Sequence, residues 1–151
     1  MNYFDTSALI KLFVTETGSS VVQALAFGES SVATSKVTYV EVHAALARKR
    51  REGYLAASEY ALVTRQFDRD WLGYFKVDVK DEILLAARDL VRRHPLRGYD
   101  AVHLASALSL KNALGEGFAF AGADERLLRA SRTEGLRAID VEAAAGPPGG
   151  K

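Results

Sequence analysis

The chain has 151 residues, a formal net charge of +1, 48% hydrophobic residues and no cysteine. That length predicts one domain able to bury roughly 70% of its unfolded surface, and the composition excludes a disordered chain, disulfides and thiolate metal sites. No apolar run approaches the roughly 20 residues of a membrane span, the N-terminus lacks the order of a signal peptide, and the charge balance confines any nucleic-acid surface to a local patch; the expected location is cytoplasmic.

Asn2 to Phe4 reads as a buried first strand that delivers Asp5 to the rim of a sheet. Ser7 to Val14 is expected as a short helix capped by Thr6 or Ser7, and Val21 to Phe27 as a second, capped by Ser19 or Ser20 and stopped by Gly28. Ser31 to Ala33 is a weak second strand. Thr34 or Ser35 then caps a long helix from Val37 to Glu52, whose residues Val37, Val40, Ala44 and Ala47 recur at helical spacing and predict the buried face. Ala56 to Trp71 completes a helical hairpin with it. Phe75 to Val79 alternates as a strand. Asp81 to His94 is helical with Ile83, Ala87, Leu90 and Val91 inward, and Pro95 ends it. A helix over Tyr99 to Leu114, a buried strand over Phe118 to Ala121, a helix from Asp124 to Ser131 and an edge strand over Arg137 to Val141 follow. Residues 1–142 are thus expected to be the domain, and residues 143–151, with nothing to bury, a disordered tail.

Strands alternating with helices imply a parallel sheet covered on both faces, with the functional crevice outside the carboxyl ends of its strands. Asp5 and Asp124 each follow such an end. Glu41 lies near the start of the helix after the second strand, and Asp100 at the start of the helix before the fourth; all four fall at one edge. Clustered carboxylates repel, so they take up protons or a cation. An all-oxygen donor set without His or Cys favours Mg²⁺, with Mn²⁺ as substitute, over Zn²⁺. Thr6 and Ser7 are placed to orient Asp5 or a water beside it.

Taken singly, these acids have plainer readings: Asp5, Asp100 and Asp124 as helix caps, Glu41 as a solvated helix residue. His103, three residues after Asp100, is spaced to touch the site, with a packed or hydrogen-bonded helix residue as the plainer reading, and His43 reads as structural or exposed. The run Arg48-Lys49-Arg50-Arg51, with Arg92, Arg93 and Arg97 and with Arg126, Arg129 and Arg132, reads either as solvated faces or as a phosphate track beside the acids.

Four segments in order carry a resemblance: 3–12 around Asp5, 38–42 around Glu41, 99–107 from Tyr99-Asp100, and 120–128 around Asp124. Together they resemble PIN-domain nucleases, most closely the VapC toxins of toxin–antitoxin pairs, over nearly the whole chain except the tail. The resemblance implies a three-layer α/β/α sandwich with a central parallel sheet of strand order 3-2-1-4-5. It also implies a Mg²⁺-dependent endoribonuclease with catalytic acids Asp5, Glu41, Asp100 and Asp124, of which Asp5 and Asp100 are the main metal ligands. The products would carry 3′-hydroxyl and 5′-phosphate ends, and a tRNA or ribosomal RNA loop is a plausible target. The implied partners are a VapB-type antitoxin, received in a groove partly lined by the aromatic hairpin, and a second copy in a homodimer. One departure is Gly122, where the family often has Ser or Thr two positions before its last acid.

Two rivals stand beside this reading. A phosphatase with an aspartyl nucleophile commonly needs a second acid two residues on, where this chain has Ser7. A catalytically silent PIN-like module that binds RNA or a partner protein would be favoured by loss of one acid, and all four are present.

Overall fold

Short apolar segments build the middle layer. In the computed structural model, which describes residues 1–28, 31–115 and 117–143, five strands form one sheet: β1 (Asn2–Phe4), β2 (Val32–Ser35), β3 (Phe75–Val77), β4 (Ala119–Gly122) and β5 (Arg137–Asp140). All pairings are parallel and the order is β3-β2-β1-β4-β5, as the resemblance implied. The sheet is centred on β1, with Tyr3 opposite Ala33 on one side and Phe120 on the other.

Successive side chains of a strand point to opposite faces, and this divides the core in two. Tyr3 and Phe120, whose rings stack at 5.5 Å, pack against α5 (Asp81–Arg93), α6 (Gly98–Leu114) and α7 (Glu125–Thr133) through Leu90, Leu104, Leu127 and Leu128. Phe4 and Ala121 face the other helices, α1 (Thr6–Leu9), α2 (Ser19–Ala26), α3 (Val37–Arg51) and α4 (Ala57–Trp71), and meet Leu9, Val22, Val42, Leu46 and Phe67. Three layers result. Among the described residues no helix is long and apolar enough to cross a membrane.

Four local expectations are corrected. The first helix begins at Thr6 and gives way to a 3₁₀ turn over Ile10–Leu12; its cap is Asp5, whose side chain accepts from the Ala8 N–H. Thr34 is a buried strand residue of β2 rather than a cap of α3, whereas Ser35, also in β2, accepts from the Val37 N–H at 3.2 Å at the start of α3. Thr34 Oγ1 donates to the Phe4 carbonyl at 2.7 Å and shares a 2.7 Å bond with Thr38 Oγ1, which satisfies both hydroxyls in the interior. That polar pair also turns α3: its buried residues are Thr38, Val42 and Leu46, while Val40 is 62% exposed. On α5 the inward residues Ile83, Ala87 and Leu90 are buried, but Val91 is exposed.

After β5 the chain returns to the first helices. Gly18 has φ of +92°, and a Cβ there would lie 2.8 Å from the Val141 carbonyl oxygen, so only glycine allows this approach. Glu142 is thereby brought to Lys11, with Nζ and Oε1 3.0 Å apart. From residue 144 onward the expected tail lies outside the described residues.

Candidate active site

The carboxyl ends of β1 and β4 and the starts of α3 and α6 open onto one cleft of about 520 Å³. Its walls include Asp5, Glu41, Asp100 and Asp124, so the four acids expected at one edge are brought together there. Lys11, Arg48, Lys49, Arg97 and His103 also line it, with Glu16 and Glu142 beside Lys11.

Each carboxylate is held by one oxygen. Asp5 Oδ1 accepts from Ser7 Oγ at 2.8 Å and from the Ala8 N–H at 2.9 Å. Glu41 Oε1 accepts from Thr6 Oγ1 at 2.6 Å and lies 2.8 Å from His103 Nε2. Asp124 Oδ1 caps α7 through the Leu127 N–H at 2.9 Å, and Asp100 Oδ2 accepts from Arg97 Nε at 3.0 Å. Thr6 therefore orients Glu41, and only Ser7 orients Asp5. Among the described residues the second oxygen of each acid takes no hydrogen bond from the protein, and no buried side-chain nitrogen or oxygen is left without a partner. The second oxygen of Asp5 is therefore accessible from the cleft.

His103 is buried between the core and the site. Tyr3 Oη is 2.8 Å from its Nδ1, and its Nε2 reaches Glu41 Oε1, with Thr6 Oγ1 at 3.2 Å. Burial, with the Asp5 charge adding to it, holds the Tyr3 hydroxyl well above its ordinary range, so it stays neutral. Glu41, as a carboxylate, can only accept, so the Nε2–H donates to it, and the Tyr3 hydroxyl shares its bond with Nδ1. The link was outside the reach of the sequence reading, because the two partners are 100 residues apart.

The two central acids are tuned in opposite directions. Burial pushes the Asp5 carboxyl up, and Asp100 adds to this; His103, the Ala8 N–H and Ser7 offset only part of it. Burial also pushes Glu41 up, but the bonds from His103 and Thr6 and the nearby charges of His103 and Arg97 outweigh it and hold Glu41 below the usual carboxylate range. Gly122 lies against this site. A Cβ there would stand 3.2 Å from Asp5 Oδ2 and 3.2 Å from Phe120 Cε1, pressing on the oxygen that Asp5 presents. A hydroxyl comes from Ser7 instead: its Oγ donates to Asp5 and accepts from the Ala123 N–H at 3.3 Å.

The basic clusters divide. Arg93 is tied to Glu134 at 2.9 Å and Arg129 to Glu125 at 3.0 Å, both away from the cleft, whereas Arg48, Lys49 and Arg97 line it. Arg51 does not line it. Arg97 gives the acids a basic partner: it bonds Asp100 and approaches Asp124 Oδ2 at 4.0 Å.

The donor set fits a divalent cation. It consists of hard carboxylate oxygens, one per acid still uncommitted, at a helix start where negative charge is favoured. Among the described residues no three His, Asp or Glu side chains stand close enough to form a ready-made cage.

A family model described as the PIN domain matches residues 3–133. Ribonuclease VapC45 and Ribonuclease VapC49 of Mycobacterium tuberculosis are each 41% identical to the chain over 140 residues, covering 93% of it and 95% of their own lengths. Ribonuclease VapC47 of the same species is 30% identical over 140 residues, covering 90% and 93%. Among solved structures, a chain of a toxin–antitoxin complex from Klebsiella pneumoniae superposes with a TM-score of 0.60 at 18% identity, over 82% of this chain and 87% of that one. PAE2754 from Pyrobaculum aerophilum superposes with a TM-score of 0.61 at 22% identity, over 95% and 91%. Both share the fold.

Proposed function

The chain belongs to the PIN-domain family, among the VapC-type ribonuclease toxins, and from that membership we propose that it is a Mg²⁺-dependent endoribonuclease, the toxin of a type II toxin–antitoxin pair. The observation that carries the proposal is the cleft in which Asp5, Glu41, Asp100 and Asp124 are each anchored by one oxygen and leave the other uncommitted.

Asp5 and Asp100 would hold the ion. A divalent ion there supplies positive charge against the phosphodiester and makes water more acidic. The protein's own groups do the rest. Glu41, fixed by Thr6 and His103 and kept charged, completes the site and orients the attacking water. Asp124 orients water or holds a second ion. Arg48 and Lys49 hold the RNA backbone by phosphate contacts, which carry much of the affinity and fix register without reading sequence. The water oxygen bonds to phosphorus as the bond to the 3′-oxygen breaks, so the fragments end in 3′-hydroxyl and 5′-phosphate groups.

The remaining assignments belong to the same proposal. Residues 1–142 are the nuclease domain. A VapB-type antitoxin neutralises the toxin, the working form is a homodimer, and the target is a single-stranded loop of tRNA or ribosomal RNA in the cytoplasm.

The test is to map RNA ends in cells after brief induction of the chain. Cuts at a few loop positions, with 5′-phosphate ends, are expected. Uncut RNA would favour a silent binding module, and 5′-hydroxyl ends would replace water attack by attack of the ribose 2′-hydroxyl.

A further inference from the structure

Arg97 is out of place by the ordinary rules of helix design. It occupies the cap position of α6, where it supplies no side-chain oxygen to the free N–H groups. Its cation stands at the positive end of a 17-residue helix, which the helix dipole disfavours. Its side chain is 78% exposed, so it adds little to the core. Helix stability therefore does not account for an arginine at this position.

Its contacts are all with the acids of the cleft. Nε donates to Asp100 Oδ2 at 3.0 Å, and Nη2 lies 4.0 Å from Asp124 Oδ2. Among the described residues the guanidinium makes no other hydrogen bond to the protein. The guanidinium offsets like-charge repulsion between carboxylates that line one space. A divalent cation held by Asp100 would take over that role and repel the guanidinium. An exposed side chain on a long stem is free to swing away. Its fork of donors matches a phosphate group, the group that a nucleic-acid substrate brings to this cleft.

We propose that Arg97 has two working positions: bonded to Asp100 in the metal-free protein, and turned onto an RNA phosphate next to the scissile bond once a divalent cation holds Asp100. This rests on the reading of the cleft as a metal-dependent nuclease site. Arg97 thus competes with the metal and cooperates with the substrate, so its removal moves the two measurements in opposite directions.

The experiment compares the full-length wild-type chain with R97Q, R97K and R92Q. Arg92 is a charge-matched control on α5, paired with Asp89. Mn²⁺ alone is titrated calorimetrically, and cleavage of a single-stranded RNA is followed at saturating Mg²⁺. R97Q is expected to bind Mn²⁺ about three- to tenfold tighter, because a bonded and repelling cation is gone. Its kcat/KM is expected to fall at least about tenfold, because a charge-assisted phosphate contact is lost. R97K keeps the charge without the fork, and is expected to bind Mn²⁺ like the wild type while losing part of the cleavage rate. R92Q moves neither. Equal or weaker Mn²⁺ binding by R97Q, or tighter binding with undiminished cleavage, would overturn the proposal. A wild-type chain that binds no Mn²⁺ would instead overturn the metal-site reading on which it rests. Melting curves in chelator verify that all variants fold, as the exposure of Arg97 leads us to expect.

Discussion

Asp5→Asn is expected to lower RNA cleavage by at least about a thousandfold while leaving the fold intact. The new Oδ1 accepts the same two bonds, from Ser7 Oγ and the Ala8 N–H, so the cap of α1 survives. The change falls on the other atom: the oxygen facing the cleft becomes an uncharged NH₂ group, which cannot hold a cation. The metal-free variant is also expected to be the more stable protein at neutral pH. Burial raises the Asp5 carboxyl in the folded chain. An acid raised on folding contributes stability that is complete below its unfolded value and is lost as pH rises through its folded value. Asn never ionises, so the variant keeps what Asp5 loses. A gain on the order of 1 kcal/mol corresponds to about 2–4 °C in melting temperature for a domain of this size. The gain shrinks toward zero in acid, where Asp5 is protonated in both states. Melting curves in chelator across pH, beside cleavage assays, check both halves. Mg²⁺-dependent cleavage retained by the variant would remove Asp5 from the site.

His103→Ala is the second large effect, and it strikes fold and site together. The imidazole fills buried space and joins Tyr3 to Glu41 through bonds of 2.8 Å at each nitrogen. Its loss leaves a cavity and strands the Tyr3 hydroxyl in the core, which together are expected to cost about 2–4 kcal/mol in urea unfolding. Glu41 keeps Thr6 but loses its other donor, and cleavage is expected to fall about tenfold or more. Adding Tyr3→Phe separates the two losses. The double variant is expected to recover about 1 kcal/mol, because no hydroxyl is left without a partner, but none of the cleavage. Glu41 is also held below the usual carboxylate range. Its contribution is therefore complete above its unfolded value and is lost as pH falls through its folded value, so the variant should show a shallower loss of stability in acid. A variant that unfolds like the wild type would mean that the Tyr3–His103–Glu41 link does not hold the structure.

The parts of the fold that sequence revealed were those written in chemistry that repeats locally. An apolar run ending in an acid and a helix start places Asp5 and Asp124 at strand ends, and the alternation of strands and helices places those ends on one edge. Hydrophobic spacing selects Val40 and Ala44 over Thr38 for the inner face of α3, whereas the structure buries Thr38, Val42 and Leu46. Thr38 is buried because Thr34, on the preceding strand, shares its hydroxyl bond. Such a polar pair has no apolar signature. Thr34 and Ser35 have the composition of a helix start; Ser35 does accept from the Val37 N–H, whereas Thr34 reaches across to the Phe4 carbonyl and Thr38. In the cleft, the four acids were legible from position and motif order. What each one touches was not. The Tyr3 bond to His103 and the approach of Arg97 to Asp124 depend on which strands become neighbours, and no spacing in one chain encodes that; the Arg97–Asp100 bond is a local pair three residues apart.

The most direct measurement is RNA cleavage by the purified chain, stripped with EDTA and then given Mg²⁺ in steps. The account predicts no cleavage in chelator and a rate restored as the ion returns, with Mn²⁺ able to substitute. Cleavage that continues undiminished in chelator, or none at any Mg²⁺ concentration on the RNA cut in cells, would contradict it.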